Sequence, residues 1–206
     1  MRPPRRGRSR IATSSSFLAD WLDAVLAAPG LTALSDPRRA RAMLLDDALR
    51  AVPVVGRFEG PIVDVGSGGG SPGIPLAVAL PEREVTLLEA ERRKCDFLRR
   101  WAPPNASVAW GRAEEQPVET WGVALAKALA QPPVAAEWCL PLVRVGGAAI
   151  LWLGETAELE RVAAVAGRLG GGPPEEHDGL VVIPKLAPTP AGFPRRPGVA
   201  KKRPLA

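Results

Sequence analysis

The chain has 206 residues, 46% apolar and 24% charged, the composition of an ordinary globular protein with one sizeable core. No apolar run reaches the ~18 residues of a transmembrane helix, and the basic N-terminus leads into no apolar segment of a secretory signal. Two distant cysteines, Cys95 and Cys139, and a lone histidine, His177, argue against a disulfide framework, a metal centre and a Ser-His-Asp triad, and the cysteines read as reduced core thiols of a cytoplasmic protein.

Residues 1–12 are rich in Arg, Pro and Gly and read as a disordered basic arm. Residues 13–55 read as an N-terminal helical appendage. In it, Ser14 to Ser16 cap a helix whose apolar residues Phe17, Leu18, Trp21, Leu22, Val25 and Leu26 recur at helical spacing. Pro29-Gly30 stops that helix. Asp36 caps a second helix, with Pro37 in its first turn, running to about Ala51. From 56 to 187 strands and helices alternate. Strands are predicted at 61–65, 84–89, 106–110, 121–126, 147–153 and 180–185, and helices at 74–80, 90–101, 131–140 and 155–169. This alternation predicts a Rossmann-like α/β domain with a mainly parallel sheet, helices on both faces, and ligands at the carboxyl ends of the strands. The stretch before Leu180 is short enough to lack a late strand, and Gly170-Gly171-Gly172-Pro173-Pro174 reads as a flexible connection. Residues 188–206 form a basic, Pro-rich tail.

Charge is segregated along the chain. Five arginines fall within residues 1–10, and Arg195, Arg196, Lys201, Lys202 and Arg203 fall within the last twelve; the 17 basic groups between face 22 acids. Basic arms on an acidic body point to a polyanionic partner, nucleic acid being the commonest; solvated tails that aid solubility are the alternative.

The residues with most chemical content are Asp64-Val65-Gly66-Ser67-Gly68-Gly69-Gly70-Ser71-Pro72-Gly73, between a β-branched stretch and an apolar helix. Strand, glycine turn and helix make a nucleotide-type loop, whose glycines let the backbone approach a ligand. Glu89 ends the next strand, where a carboxylate can accept hydrogen bonds from both ribose hydroxyls. Gly68, Gly70 and Gly73 satisfy GxGxxG, so the bare loop admits NAD as well as S-adenosylmethionine. Asp64 favours the latter: a carboxylate suits an ammonium and repels a pyrophosphate. Pro72-Gly73 also tightens the helix entry, where NAD sites present a free helix N-terminus.

Residues 64–76, DVGSGGGSPGIPL, resemble the signature of the RsmG (GidB) family of bacterial rRNA methyltransferases. Val85-Thr86-Leu87-Leu88-Glu89, Arg93-Lys94, Gly111-Arg112-Ala113-Glu114-Glu115 and the tail Arg195-Arg196-Pro197-Gly198 extend the resemblance from about residue 17 to the end. The resemblance implies a class I methyltransferase fold and methyl transfer from S-adenosylmethionine to N7 of a guanine in 16S rRNA of the small ribosomal subunit, by a protein taken to be monomeric. It places Asp64, Gly66, Ser67, Gly68 and Ser71 in the cofactor loop, Glu89 and Ala90 near the ribose, Ala113 and Glu114 near the adenine, and Lys127 at a conserved arginine's position. The basic tail residues would grip RNA. No side chain is assigned as catalytic, because guanine N7 carries an exposed lone pair and needs no base before attack. The chain departs from the family's pattern at Ala126-Lys127-Ala128 (usually Ser-Arg-Ala), Gly122, Leu153-Gly154, Leu44 and Gly30, mostly on what is read as the target-base side. The alternative is therefore a divergent paralogue that binds cofactor and RNA with altered target or little activity. Lys127 is read either as a structural cation or as a rim residue, and Trp152 either as core or as a base-stacking surface.

Overall fold

Residues 8–152 and 158–206 are described, with side chains from residue 15 onward, in a computed structural model. Strands β1 (Ile62–Val65), β2 (Val85–Glu89), β3 (Ala106–Trp110), β4 (Trp121–Ala126), β5 (Val143–Trp152), β6 (Glu175–His177) and β7 (Leu180–Pro184) form one sheet in the order β3-β2-β1-β4-β5-β7-β6. The first five run parallel; β7 is antiparallel to β5, and β6 to β7. The late strand that the short segment seemed to leave out is present as the three-residue β6.

Alternation along each strand builds two cores. Ile62, Val85, Leu87, Val123, Leu125, Ile150 and Val182 face one side; Val63, Val65, Leu88, Ala124, Leu151, Val181 and Ile183 face the other. Both faces are covered, which is why the central strands read as unbroken apolar runs. Helices α1 (Arg8–Ala27), α2 (Pro37–Ala40), α3 (Asp47–Leu49) and α4 (Val52–Val55) contribute to the first core, together with α5 (Gly73–Ala79) and α6 (Arg92–Trp101). Helices α7 (Pro132–Cys139) and α8 (Leu159–Arg168) cover the second. A short α9 (Val199–Lys202) closes the chain. Among the described residues no helix is long and apolar enough to cross a membrane.

Several boundaries differ from the sequence reading. Residues 1–7 of the expected disordered arm lie outside the described residues, but α1 starts at Arg8, ahead of the expected Ser14–Ser16 cap. Asp36 does cap α2, its Oδ1 accepting the Arg39 N–H at 2.7 Å, with Pro37 first in the helix. The continuation is a π-helical turn, Arg41–Asp46, between α2 and α3. The N-terminal helices are no separate appendage: Trp21 is fully buried in the first core and donates from Nε1 to the Gly69 carbonyl at 2.9 Å. Leu153 and Gly154 lie outside the described residues, and α8 begins at Leu159.

The glycine run at 170–172 is packed tightly rather than loose. Leu186 and Ala187 both donate to Gly170 O, and a Cβ on Gly170 would stand 2.2 Å from the Ala187 oxygen. Close backbone approach, not flexibility, demands glycine there. The tail also docks: Leu205 and Ala206 pack on the second core, and Arg161 donates to Ala206 O at 2.6 Å.

Candidate active site

The glycine loop crosses the carboxyl end of the sheet between β1 and α5. Gly66 and Gly68 adopt positive φ, +72° and +55°. A Cβ on Gly66 would meet the Leu129 side chain at 2.2 Å, and the positive φ itself favours glycine at this turn. A Cβ on Gly68 would meet nothing nearer than Gly66 O at 3.8 Å, so this glycine leaves open space where a ligand can lie against the backbone. Two backbone N–H groups, of Gly66 and Ser67, bond to Leu88 O and pin the loop to β2.

Glu89 is the keystone of the loop. It is 6% exposed, and its Oε2 accepts the Gly68 N–H at 2.9 Å while Oε1 accepts the Glu91 N–H at 2.8 Å. Each oxygen keeps a lone pair for a further donor, so the same carboxylate can position the loop and accept from ribose hydroxyls.

A cavity of about 650 Å3 opens here, within the range of small-ligand sites. Gly66, Ser67, Gly68, Ser71, Glu89, Ala90, Ala113, Glu114 and Lys127 all line it. Of the ten residues expected at the cofactor, only Asp64 does not line the cavity. It lies behind the loop, 1% exposed, with Oδ2 accepting the Gly73 N–H at 3.0 Å. The direct role expected for Asp64 toward the ligand's ammonium is thus replaced by a role in holding the loop to α5. Burial pushes its carboxyl up to about 7, with the neighbouring Glu89 charge adding to the rise against the hydrogen bonds and Lys127.

This arrangement separates the two cofactors that the bare loop admits. The Gly73 N–H at the start of α5 is taken by Asp64, and the Ile74 N–H by Gly70 O, so a pyrophosphate finds no open donors there. Glu89 also sets a carboxylate beside the loop, which favours a cationic sulfonium and ammonium over a polyanion. The residues present therefore fit S-adenosylmethionine.

Residues from the N-terminal half complete the cavity, including Trp21, Met43 and Leu44. Ser71 donates from Oγ to Leu44 O at 2.7 Å. Lys127, at the end of β4, donates to Met43 O and pairs with Asp47 at 2.6 Å. Lys127 is thus both a structural cation and a wall residue. The sequence reading gives Asp47 and Leu129 no role at the cavity, since no local motif marks a residue whose role is to meet another element; Arg112, quoted there only within the run 111–115, also lines it.

Two further expectations are corrected, and the open reading of Trp152 is decided. Gly122 is the second residue of β4, at the end of the sheet opposite the cavity; a Cβ there would lie 1.8 Å from Glu59 O. Its glycine answers a backbone crossing and has no bearing on a target base. Trp152 packs against the first core and donates to Asp47 O at 3.2 Å, which leaves the core reading and not base stacking. Arg195 is not an open RNA contact: it forms a bidentate pair with the 3% exposed Glu137, both distances 2.6 Å, and donates to Arg203 O. The desolvated Glu137 carboxylate needs that guanidinium. Arg196, Lys201, Lys202 and Arg203 remain exposed. His177 sits on β6 beside Arg57, and Cys95 and Cys139 are buried thiols that burial pushes up in pKa.

The 3-2-1-4-5-7-6 sheet with its reversed seventh strand and glycine loop defines a class I S-adenosylmethionine-dependent methyltransferase. Solved structures share that fold. A T. thermophilus 16S rRNA N2 methyltransferase, RsmC, in complex with AdoMet and guanosine superposes with a TM-score of 0.51 at 18% identity, over 65% of this chain and 37% of its own. A Thermotoga maritima SAM-dependent O-methyltransferase gives 0.55 at 14% identity, over 70% and 66%. The sequence matches the GidB family, rRNA small subunit methyltransferase G, over residues 16–166, and the chain belongs to that family. A ribosomal RNA small subunit methyltransferase G from Synechococcus sp. (strain JA-3-3Ab) is 36% identical over 205 residues, covering 85% of this chain and 78% of its own length.

Proposed function

We propose that this protein transfers a methyl group from S-adenosylmethionine to N7 of a guanine in 16S rRNA of the bacterial small subunit, acting as a cytoplasmic monomer. The observation that carries this reading is the single cavity that gathers the loop, Glu89-Ala90, Ala113-Glu114 and Lys127 in a member of the GidB family. The cofactor, when bound, supplies an electrophilic methyl on a sulfonium. The chain's part is to hold the loop with Glu89 and Asp64, to accept hydrogen bonds at Glu89, and to present the target beside the wall formed by Lys127 and Leu129. N7 attacks with its own lone pair, so positioning rather than proton removal carries the rate. The lone histidine, His177, on the distant β6, is consistent with that chemistry. The divergent-paralogue reading leaned partly on Gly122, which has a purely structural explanation.

The test is calorimetry with S-adenosylhomocysteine, followed by incubation with small subunits from a strain lacking this methylation. Reduction and aniline cleavage then reveal 7-methylguanine as a strand break. Binding with a single new break is the expected result; binding with no break anywhere in 16S rRNA overturns the N7 reading.

A further inference from the structure

We propose that Trp110, with Arg92, is a stacking platform for an unpaired RNA base just outside the mouth of the cofactor cavity; this rests on the RNA-methylation reading above. Trp110 ends β3 and is 60% exposed, unusual for the largest apolar side chain. It is nonetheless held in place. Its Nε1 donates to Ala90 O at 3.0 Å, and the Arg92 guanidinium carbon lies 5.5 Å from the ring centroid. An exposed indole already fixed in orientation loses little entropy on stacking, and an adjacent arginine attracts the phosphate beside the base.

Its position ties it to the reaction. Ala90, which accepts from the indole, lines the cavity, as do Gly111 and Arg112, which follow Trp110; Trp110 itself does not. The ring is therefore beside the mouth rather than inside the pocket. The acids nearby are engaged: Glu91 pairs with Lys94 at 2.7 Å, Glu115 accepts the Arg112 N–H at 2.9 Å, and Glu114 accepts the Gly198 N–H at 3.0 Å. That last bond brings Gly198, two residues past the exposed Arg196, to the cavity wall. An arginine over a single exposed aromatic suits an RNA base better than a protein partner, which would require a contiguous apolar patch.

The experiment uses the full chain and two RNA probes, a hairpin with an unpaired guanine-containing loop and a fully paired duplex of equal length, with S-adenosylhomocysteine calorimetry in parallel. Trp110→Ala is expected to weaken hairpin binding about 5- to 100-fold, Trp110→Phe to stay within about threefold of wild type, and duplex and S-adenosylhomocysteine affinities to change by less than about twofold. Arg92→Ala is expected to flatten the salt dependence of hairpin binding by roughly 0.7 in log-log slope. Wild-type affinity of Trp110→Ala for the hairpin overturns the platform and leaves the methylation reading intact. Loss of S-adenosylhomocysteine binding by Trp110→Ala assigns the ring to the cofactor and overturns the platform. A wild-type chain that binds neither RNA overturns the RNA reading, and the platform with it.

Discussion

Glu114 Oε1 accepts the backbone N–H of Gly198 at 3.0 Å, so a wall residue of the cofactor cavity holds the basic tail across 84 positions of sequence. Gly198 adopts a φ of +80°, which suits glycine at the turn into α9. Charge-assisted bonds of this kind contribute ~1.5–3 kcal/mol. Glu114→Ala is expected to loosen the tail around α9 and make trypsin cleave after Lys201 or Lys202 at least several-fold faster. Limited proteolysis followed by mass spectrometry reads this directly, and Glu114→Gln, which keeps an acceptor, is expected to restore protection.

Arg195 and its basic neighbours have different roles, and mutation separates them. Arg195→Ala strands the Glu137 carboxylate without its partner, a change that costs ~3–5 kcal/mol. A fall of many degrees in Tm is expected. Replacing the exposed Arg196, Lys201, Lys202 and Arg203 together is expected to leave Tm within a few degrees while lowering the salt slope of RNA binding by up to about 3.

Glu89 joins the loop to the first residues before α6 through both of its oxygens. Glu89→Ala is expected to weaken S-adenosylhomocysteine binding by about 10- to 100-fold, because it removes two backbone anchors and the ribose acceptor together. Calorimetry measures it. Glu89→Gln retains only one acceptor oxygen and is expected to fall between wild type and Glu89→Ala.

Asp64 gives stability a defined pH dependence. Its carboxyl is shifted from 3.8 to about 7 by burial, so the folded state holds the proton more tightly than the unfolded chain. Its contribution is fully present below about pH 4 and is lost as pH rises through about 7. Urea unfolding without ligand at about pH 5 and pH 8 is expected to show wild type losing up to roughly 2.5 kcal/mol relative to Asp64→Asn, which stays neutral and can still accept from Gly73. Parallel pH profiles for the two proteins contradict this.

Gly122→Ala places a methyl 1.8 Å from Glu59 O, against backbone that cannot swing away. Overpacking at such a crossing costs ~1–3 kcal/mol or more. Thermal unfolding is expected to drop clearly. Any protein that remains folded should bind S-adenosylhomocysteine as wild type does, since the site lies at the other end of β4.

Local features were legible in the sequence. The glycine loop, Glu89 at the next strand end, the Asp36 cap and the alternation of strand and helix each depend on residues a few positions apart, or on a fixed strand-to-strand interval. Strands buried on both faces and helices with one apolar face announce themselves through period alone. The loop and its acids narrowed the ligand to NAD or S-adenosylmethionine and favoured the latter. The tertiary structure decided what the polar groups do. Asp64 holds the loop from behind, Lys127 meets Asp47, Arg195 meets Glu137, and Gly122 meets Glu59 instead of a target base. These partners come from distant segments, and chain order carries no record of which segments the sheet brings together. A charge read as open to RNA becomes a buried ion pair once folding removes it from water, because a desolvated carboxylate must be met by the nearest cation.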